Sequence, residues 1–465
     1  MLKIYNTLTQ KKETFKPLHD KKVGLYVCGM TVYDLCHIGH ARVLVAFDVV
    51  VRYLQSQGYH VNYVRNITDI DDKIIQRAQE NNESLSELTG RMIDAMHKDF
   101  SQLNILSPTH EPKATEAIAQ MIDLIQTLME KGIAYQAENG DVFYAVDQFK
   151  TYGELAHQDL EKLRRGSRVA VELTKKDALD FVLWKQAKPN EPSWDSPWGK
   201  GRPGWHIECS AMSMAALGEH FDIHGGGLDL IFPHHQNEIA QSEGATGKKF
   251  VNTWMHVGFV QINRQKMSKS LGNFFTVRDV LAEYPAEVVR YFLVASHYRS
   301  PIHYSQENLQ AAQSALQRFY GTLRGLDLNI ALKDSDFAAD ISDYQNKFKT
   351  AMDDDFNTPE ALAVLFDVAR EINRIRESDS KQALALATFL KQQAGILGIL
   401  QQNPEQFLKA GVQADQSQTI EALITARNKA RAEKNWAEAD KIRDELTSLG
   451  VSINDNASGT DWHRM

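Results

Sequence analysis

Apolar residues recur at three- and four-residue intervals from Gly39 to Gln57 (GHARVLVAFDVVVRYLQSQ), which predicts an amphipathic helix. Before it, Val23–Val27 (VGLYV) is a short unbroken apolar run. After it, His60–Asn66 (HVNYVRN) alternates with a period of two, and both segments read as strands. Strand, helix and strand within about 45 residues form a βαβ unit, so the pattern predicts a Rossmann-type, doubly wound parallel α/β sheet. Ligands of such sheets bind beyond the carboxyl ends of the strands, where the segment Cys28–His40 falls.

Further along, the pattern is mixed from about 118 to 200, with strand-like stretches at Gly140–Val146 and Ser167–Leu173. This reads as an insertion into the sheet, which resumes near Trp254–Val260 (WMHVGFV). The expected organisation is a catalytic α/β domain over 1–305, a helical bundle over 306–400 and a small C-terminal domain over 418–465. Leu400–Ser417 reads as a linker, and a polar tail from Asn454 to Met465 follows helices at Ile420–Glu433 and Trp436–Leu449.

Composition narrows the setting. Hydrophobic residues make up 43% and charged residues 24% of the chain, ordinary for a soluble globular protein. No apolar run approaches the roughly 18 residues of a membrane span, and the N-terminus has no apolar signal core, so a cytoplasmic protein with no membrane partner is expected. Three cysteines, at 28, 36 and 209, are too few and too odd in number for a disulfide framework. The net charge of −8 lacks the basic footprint of a nucleic-acid binder, although local patches decide such binding.

Candidate chemistry reverses that last impression. His37-Ile38-Gly39-His40 sits where the first strand hands over to its helix, and helix N-termini attract phosphate through unpaired N–H groups. Gly39 permits close approach of a nucleotide. His37 and His40, three apart, could hydrogen-bond an α-phosphate as its charge grows. Taken alone, such residues are more often surface or capping histidines. Lys266-Met267-Ser268-Lys269-Ser270, followed by Leu271-Gly272-Asn273, is a cationic loop suited to a departing pyrophosphate. The two segments match the HIGH and KMSKS signatures letter for letter, in order, with 225 residues between them. In them the chain resembles the class I aminoacyl-tRNA synthetases.

A second constellation concerns a metal. His234 and Glu238 are four apart, on one face if helical, with Pro233 suited to a helix start. Joined by Cys28 and Cys209 they make a chemically sensible zinc set, but the spacing is scattered and Cys36 and His235 compete. The runs GLYVCGMTVYDLCHIGHAR, RPGWHIECSAM and DIHGGGLDLIFPHHQNEIAQSE resemble the cysteine-specific members of the family, and the likeness extends from about Tyr5 to the C-terminus. The resemblance implies zinc on Cys28, Cys209, His234 and Glu238. The physics agrees: a pocket relying on shape separates near-isosteres such as cysteine and serine by only about 10- to 200-fold, whereas a soft metal prefers sulfur.

The same resemblance implies a substrate and ATP pocket formed by Gly29, Thr31, Gly39, Thr68, Trp205, Gly227, Asp229 and Lys269. Thr68 with Asp69 could instead cap a helix, and Trp205 could be plain core. It also implies catalytic roles for His37, His40, Lys266 and Lys269, and anticodon contacts by Asp461, Trp462 and Arg464, with Trp462 stacking on a base. The expected partners are ATP with Mg²⁺, L-cysteine and tRNA(Cys), and the expected state is a monomer. Two rivals stand beside this reading: a cysteine ligase using an amino-sugar acceptor, and a non-catalytic tRNA-binding paralogue.

Overall fold

The computed structural model describes residues 1–158, 175–189, 191–262, 265–266, 274–328, 339–410, 414–456 and 459–464. Strand β1 (Lys22–Val27) leads through α1 (Ile38–Ser56) to β2 (His60–Arg65). After the insertion, α2 (Trp205–Leu217) leads to β3 (Phe221–Gly227), and α3 (Gln236–Thr246) leads to β4 (Val251–Val257). The four strands form one parallel sheet in the order β4-β3-β1-β2. In register, Leu25 lies between Tyr63 of β2 and Ile223 of β3. The chain therefore winds one way from β1 and the other way from β3. The crevice outside their carboxyl ends is where such sheets bind ligands.

Helix α1 forms as its periodicity predicts and buries Leu44, Phe47, Val50, Val51 and Leu54. No strand was expected at β3, where three successive glycines stand at 225–227, yet all seven residues of the strand are buried. Glycine ordinarily weakens a strand. Here close packing demands it, because a Cβ on Gly225 would lie 2.0 Å from Phe47 Cζ of α1, and one on Gly226 2.9 Å from His235 Cε1.

The insertion carries an antiparallel sheet of Ala134–Gln136, Val142–Tyr144, Phe181–Gln186 and Gly201–Pro203. The strand expected at Ser167–Leu173 lies outside the described residues.

Contacts divide the chain into two units. One comprises Met1–Leu309, Gln345–Ala363 and Ile396–Gly398, and the other Gln310–Tyr344, Val364–Gly395 and Ile399–Met465. Helices at Gln306–Leu323, Ala339–Asp353, Thr358–Ile375 and Ser380–Ile396 follow the α/β region. In the second unit Phe319 stacks on Phe366 and Tyr320 on Phe407, each pair with centroids 4.2 Å apart. The described residues of the expected linker are largely helical. Asn403 caps a helix at Pro404–Leu408 by accepting from the Glu405 and Gln406 amides, Phe407 and Leu408 are buried, and a helix at Ala414–Ala432 begins within the same stretch. The described residues of the polar tail belong to an antiparallel hairpin, Val451–Asn456 with Gly459–Arg464, supplying the end of its first strand and all of its second. Trp462 enters a small core with Ile420, Ile424, Ile442, Leu446 and Val451. No helix among the described residues is long and apolar enough to cross a membrane.

Candidate active site and metal centre

His37 is the N-cap of α1. Its Nδ1 accepts from the His40 amide at 3.2 Å, and its own amide donates to His40 Nδ1 at 3.3 Å, a reciprocal capping box. The rings stack with centroids 3.5 Å apart. Because both Nδ1 atoms accept, each neutral ring carries its proton on Nε2, so each offers an Nε2–H donor. The cap thus fixes two imidazole tautomers at a helix N-terminus. Phe275 carbonyl accepts from the Ile38 amide at 3.2 Å, and the Val277 amide donates to Cys36 at 2.8 Å. The chain leaving the lysine-rich segment is thereby tied beside His37. Lys266 ends a two-residue strand, Gln265–Lys266, paired with Gln261–Ile262, and Lys269 lies outside the described residues.

A cavity of about 320 Å³ opens at the carboxyl ends of β1 and β3, lined by Cys28, Gly29, Thr31, His37, Gly39, His40, Trp205, Gly227 and Asp229. Gly29 is required by a close approach: a Cβ there would lie 1.7 Å from the Asn66 carbonyl oxygen. Its amide donates to Asn66 Oδ1 at 2.8 Å. Thr68 is buried and absent from this lining. It accepts from Asn66 Nδ2 at 3.3 Å and donates to Glu208 at 2.9 Å, joining the end of β2 to α2. Asp69 accepts from the amide and hydroxyl of Thr115, and the helix that follows it is capped by Asp71 instead.

Beside the cavity lies a buried cluster. Cys28 follows β1, Cys209 comes from α2, His234 and His235 from the turn that leads into α3, and Glu238 from the first turn of α3. Cys28 Sγ is 3.7 Å from Cys209 Sγ, 3.7 Å from Glu238 Oε1 and 3.3 Å from His235 Nε2. His234 Nε2 is 3.1 Å from Glu238 Oε1, while His224 Nε2 is 2.8 Å from Oε2. Two quartets could hold a metal ion, each with donor atoms within 4.8 Å of one another: Cys28, Cys209, His234, Glu238 and Cys28, His224, His235, Glu238. The Cys36 thiol is elsewhere engaged, 3.3 Å from Met30 Sδ. Outside the quartets His206 meets His234 Nδ1 at 2.9 Å, and His256 bridges His235 (2.7 Å) to the Thr7 hydroxyl (2.7 Å). His256, Glu208 and Asn66 carried no sequence signal; they are isolated polar residues that only the fold collects.

Electrostatics prepare the first quartet for a cation. The hydrogen bond from Cys28 pulls the Cys209 thiol down to about 6, against burial. Burial and that same bond push Cys28 well above the usual thiol range. Burial would lower His234, but Glu238 and Cys209 raise it to about 10; burial would raise Glu238, but His224 and His234 hold it at about 2. Near neutral pH the proton-bearing members of this quartet are therefore Cys28 and His234. Loading a divalent ion is expected to release about two protons at pH 7, and a third below about 6 as Cys209 becomes protonated. Affinity should then rise with pH. Titration calorimetry in buffers of different ionisation enthalpy measures this count, and a value near zero would contradict the assignment.

Comparison with known proteins agrees with this geometry. The chain matches the family models described as tRNA synthetases class I (C) catalytic domain over 14–314, DALR domain over 347–401 and cysteinyl-tRNA ligase anticodon binding domain over 413–462. It is 60% identical to a cysteine–tRNA ligase of Ectopseudomonas mendocina (strain ymp) over 462 residues, covering 99% of each chain. It is 56% identical to that of Haemophilus influenzae (strain 86-028NP) over 464 residues, covering 100% of each. Among solved structures, a Mycobacterium tuberculosis methionyl-tRNA synthetase in complex with methionyl-adenylate shares the fold at TM-score 0.57 and 16% identity, covering 83% of this chain and 95% of that one. With a catalytic-domain match over most of its length and relatives this similar from end to end, the chain belongs to the cysteine–tRNA ligase family of class I aminoacyl-tRNA synthetases.

Proposed function

We propose that the chain activates L-cysteine with ATP and transfers it to tRNA(Cys), with zinc held by Cys28, Cys209, His234 and Glu238. The observation that carries this reading is the buried two-thiol quartet at the cavity whose other wall is the HIGH capping box. Of the two quartets, this one supports its histidine as metal ligands require, with the second ring nitrogen hydrogen-bonded: His234 Nδ1 meets His206. In the alternative, His235 Nδ1 is held by His256 in the same way, but His224 Nδ1 finds no hydrogen-bond partner among the described residues. When bound, zinc supplies a soft Lewis acid that favours a thiol over serine's hydroxyl.

The residues of the chain do the rest by position and charge. Gly227 and Asp229 receive the adenosine. The cysteine carboxylate attacks the α-phosphate, and the bond to the β-phosphate breaks. The Nε2–H groups of His37 and His40 meet the charge growing on the α-phosphate oxygens. Lys266 and Lys269, with Mg²⁺ carried by ATP, hold the departing pyrophosphate. The terminal ribose hydroxyl of the tRNA then attacks the adenylate carbonyl and AMP leaves. The protein acts as a cytoplasmic monomer in this reading. Charging of total tRNA, and not of amino-sugar acceptors, with labelled cysteine tests it; charging of the sugar alone would sink it.

Anticodon reading needs an exposed ring. Trp462 is 2% exposed and its indole N–H donates to Glu421 at 2.7 Å, so it anchors the hairpin on which Asp461 and Arg464 stand. Trp436, by contrast, is 60% exposed at the start of the helix Trp436–Ser448. It is the better stacking platform for a single-stranded base. Trp436→Ala is expected to raise the KM for tRNA by about 5- to 150-fold, the worth of one stacked base, with pyrophosphate exchange unchanged. An unaltered KM would remove Trp436 from the interface.

A further inference from the structure

The cavity has a second flank that the adenylation chemistry leaves unused. In the sheet order, Gly227 and Asp229 follow β3 on one side of β1. On the other side, beyond β1 and β2, Tyr33 and Lys73 line the same cavity, with Lys73 Nζ 5.5 Å from the centroid of the Tyr33 ring. The two segments that carry them are joined where Val32 N–H donates to the Thr68 carbonyl at 3.1 Å and Thr68 N–H to that of Met30 at 3.2 Å.

Among the described residues Lys73 makes no ion pair, and its Nζ sits over the Tyr33 ring. Lys73 is the second residue of the helix Asp72–Asn81. Asp71 caps that helix by accepting from the Lys73 amide at 2.9 Å, and the Asp72 carboxylate is taken by Lys185, at 3.1 Å, and by Arg202. The two carboxylates beside Lys73 in the chain are thus engaged elsewhere, and among the described residues none lies at ion-pair distance from its Nζ. Asp34, next to Tyr33, faces Arg77 at 3.6 Å.

An aromatic ring beside a cation that no described carboxylate pairs with is a combination that binds single-stranded nucleotides, the ring against a base and the cation at a phosphate. We propose that Tyr33 and Lys73 form the receiving site for the terminal nucleotide of the tRNA acceptor strand. The inference rests on the functional reading above, in which the nucleotide half of the adenylate fills the β3 flank and the ATP phosphates meet His37, His40 and the lysine-rich segment. The incoming ribose hydroxyl must reach the carbonyl from the flank left open, and that flank carries this pair.

The two steps of the reaction separate the possibilities. In zinc-loaded, full-length protein, Tyr33→Ala and Lys73→Ala should leave cysteine-dependent pyrophosphate exchange within about two-fold of the parent. Single-turnover transfer from preformed cysteinyl-adenylate to tRNA should fall about 5- to 150-fold in Tyr33→Ala. Lys73→Gln, at an exposed position where folding is not at stake, should also slow transfer, by a factor that shrinks as salt is raised and screens the parent's contact. If exchange falls as far as transfer, or the KM for cysteine or ATP rises, the pair serves the first step and the proposal is overturned. Unchanged transfer overturns it as well. Absence of cysteine-dependent exchange in the parent protein would instead sink the functional reading, so the two failures are distinguishable.

Discussion

Cys209→Ser is expected to strip the metal and to collapse discrimination between cysteine and serine from about 10⁴-fold to about 10²-fold, the level that shape alone supplies. The reasoning begins with burial. Cys209 is 2% exposed, and its sulfur is 3.7 Å from that of Cys28. A serine hydroxyl at that position stays protonated at neutral pH and is a hard ligand, so the quartet loses one of its two sulfur donors. It also loses an acceptor whose negative charge helps to raise His234. Metal analysis and amino-acid-dependent pyrophosphate exchange read the two effects in one preparation. Full zinc with full selectivity in Cys209→Ser would show that the ion sits elsewhere, the Cys28, His224, His235, Glu238 group being the obvious alternative.

His37→Asn is expected to lower the rate of adenylation by about 10²- to 10³-fold, the usual cost of removing one preorganised donor from a transition-state oxyanion. The substitution separates two roles that this histidine combines. Asparagine is a good N-cap, so its side-chain oxygen can accept from the His40 amide as His37 Nδ1 does, and helix α1 should lose no more than about 1 kcal/mol. What it cannot reproduce is an Nε2–H held at the far edge of a ring stacked 3.5 Å from that of His40. A melting temperature near that of the parent together with a large fall in kcat supports the assignment. A parental kcat would show that His37 is only a cap.

The contrast between legible and illegible parts has physical causes. Helix α1 and strands β1 and β2 announce themselves because burial on one face imposes periodicity, and periodicity survives in one dimension. Strand β3 does not, because its glycines answer to Phe47 and His235, residues far away in sequence. The tail from Asn454 reads as polar because its hairpin covers a small core with one side only, and a single tryptophan supplies most of the inward bulk. Trp462 also shows where the resemblance alone falls short: it implies a base-stacking ring, yet that ring is interior, and Trp436 is an exposed one.

The metal cluster makes the same point. No spacing rule links 28, 209 and 234. They meet because β1 and β3 are adjacent and Cys28 follows β1, while Cys209 stands on α2 and His234 just before α3, so the candidate set is implied by family resemblance and could not be read from the residues alone. The histidine pair of α1 was visible as a motif, but not the capping box that fixes its tautomers, because that depends on backbone geometry at one helix end.

The central claim is that a metal held by two buried thiols, an imidazole and a carboxylate is what tells sulfur from oxygen in the substrate. Pyrophosphate exchange with cysteine and with serine, run side by side on zinc-reconstituted and on fully demetallated protein, tests it most directly. The account predicts strong preference for cysteine with zinc and, without it, activity too weak or too unselective to separate the two beyond about 10²-fold. Demetallated protein that still activated cysteine at the reconstituted rate, and still refused serine, would contradict it.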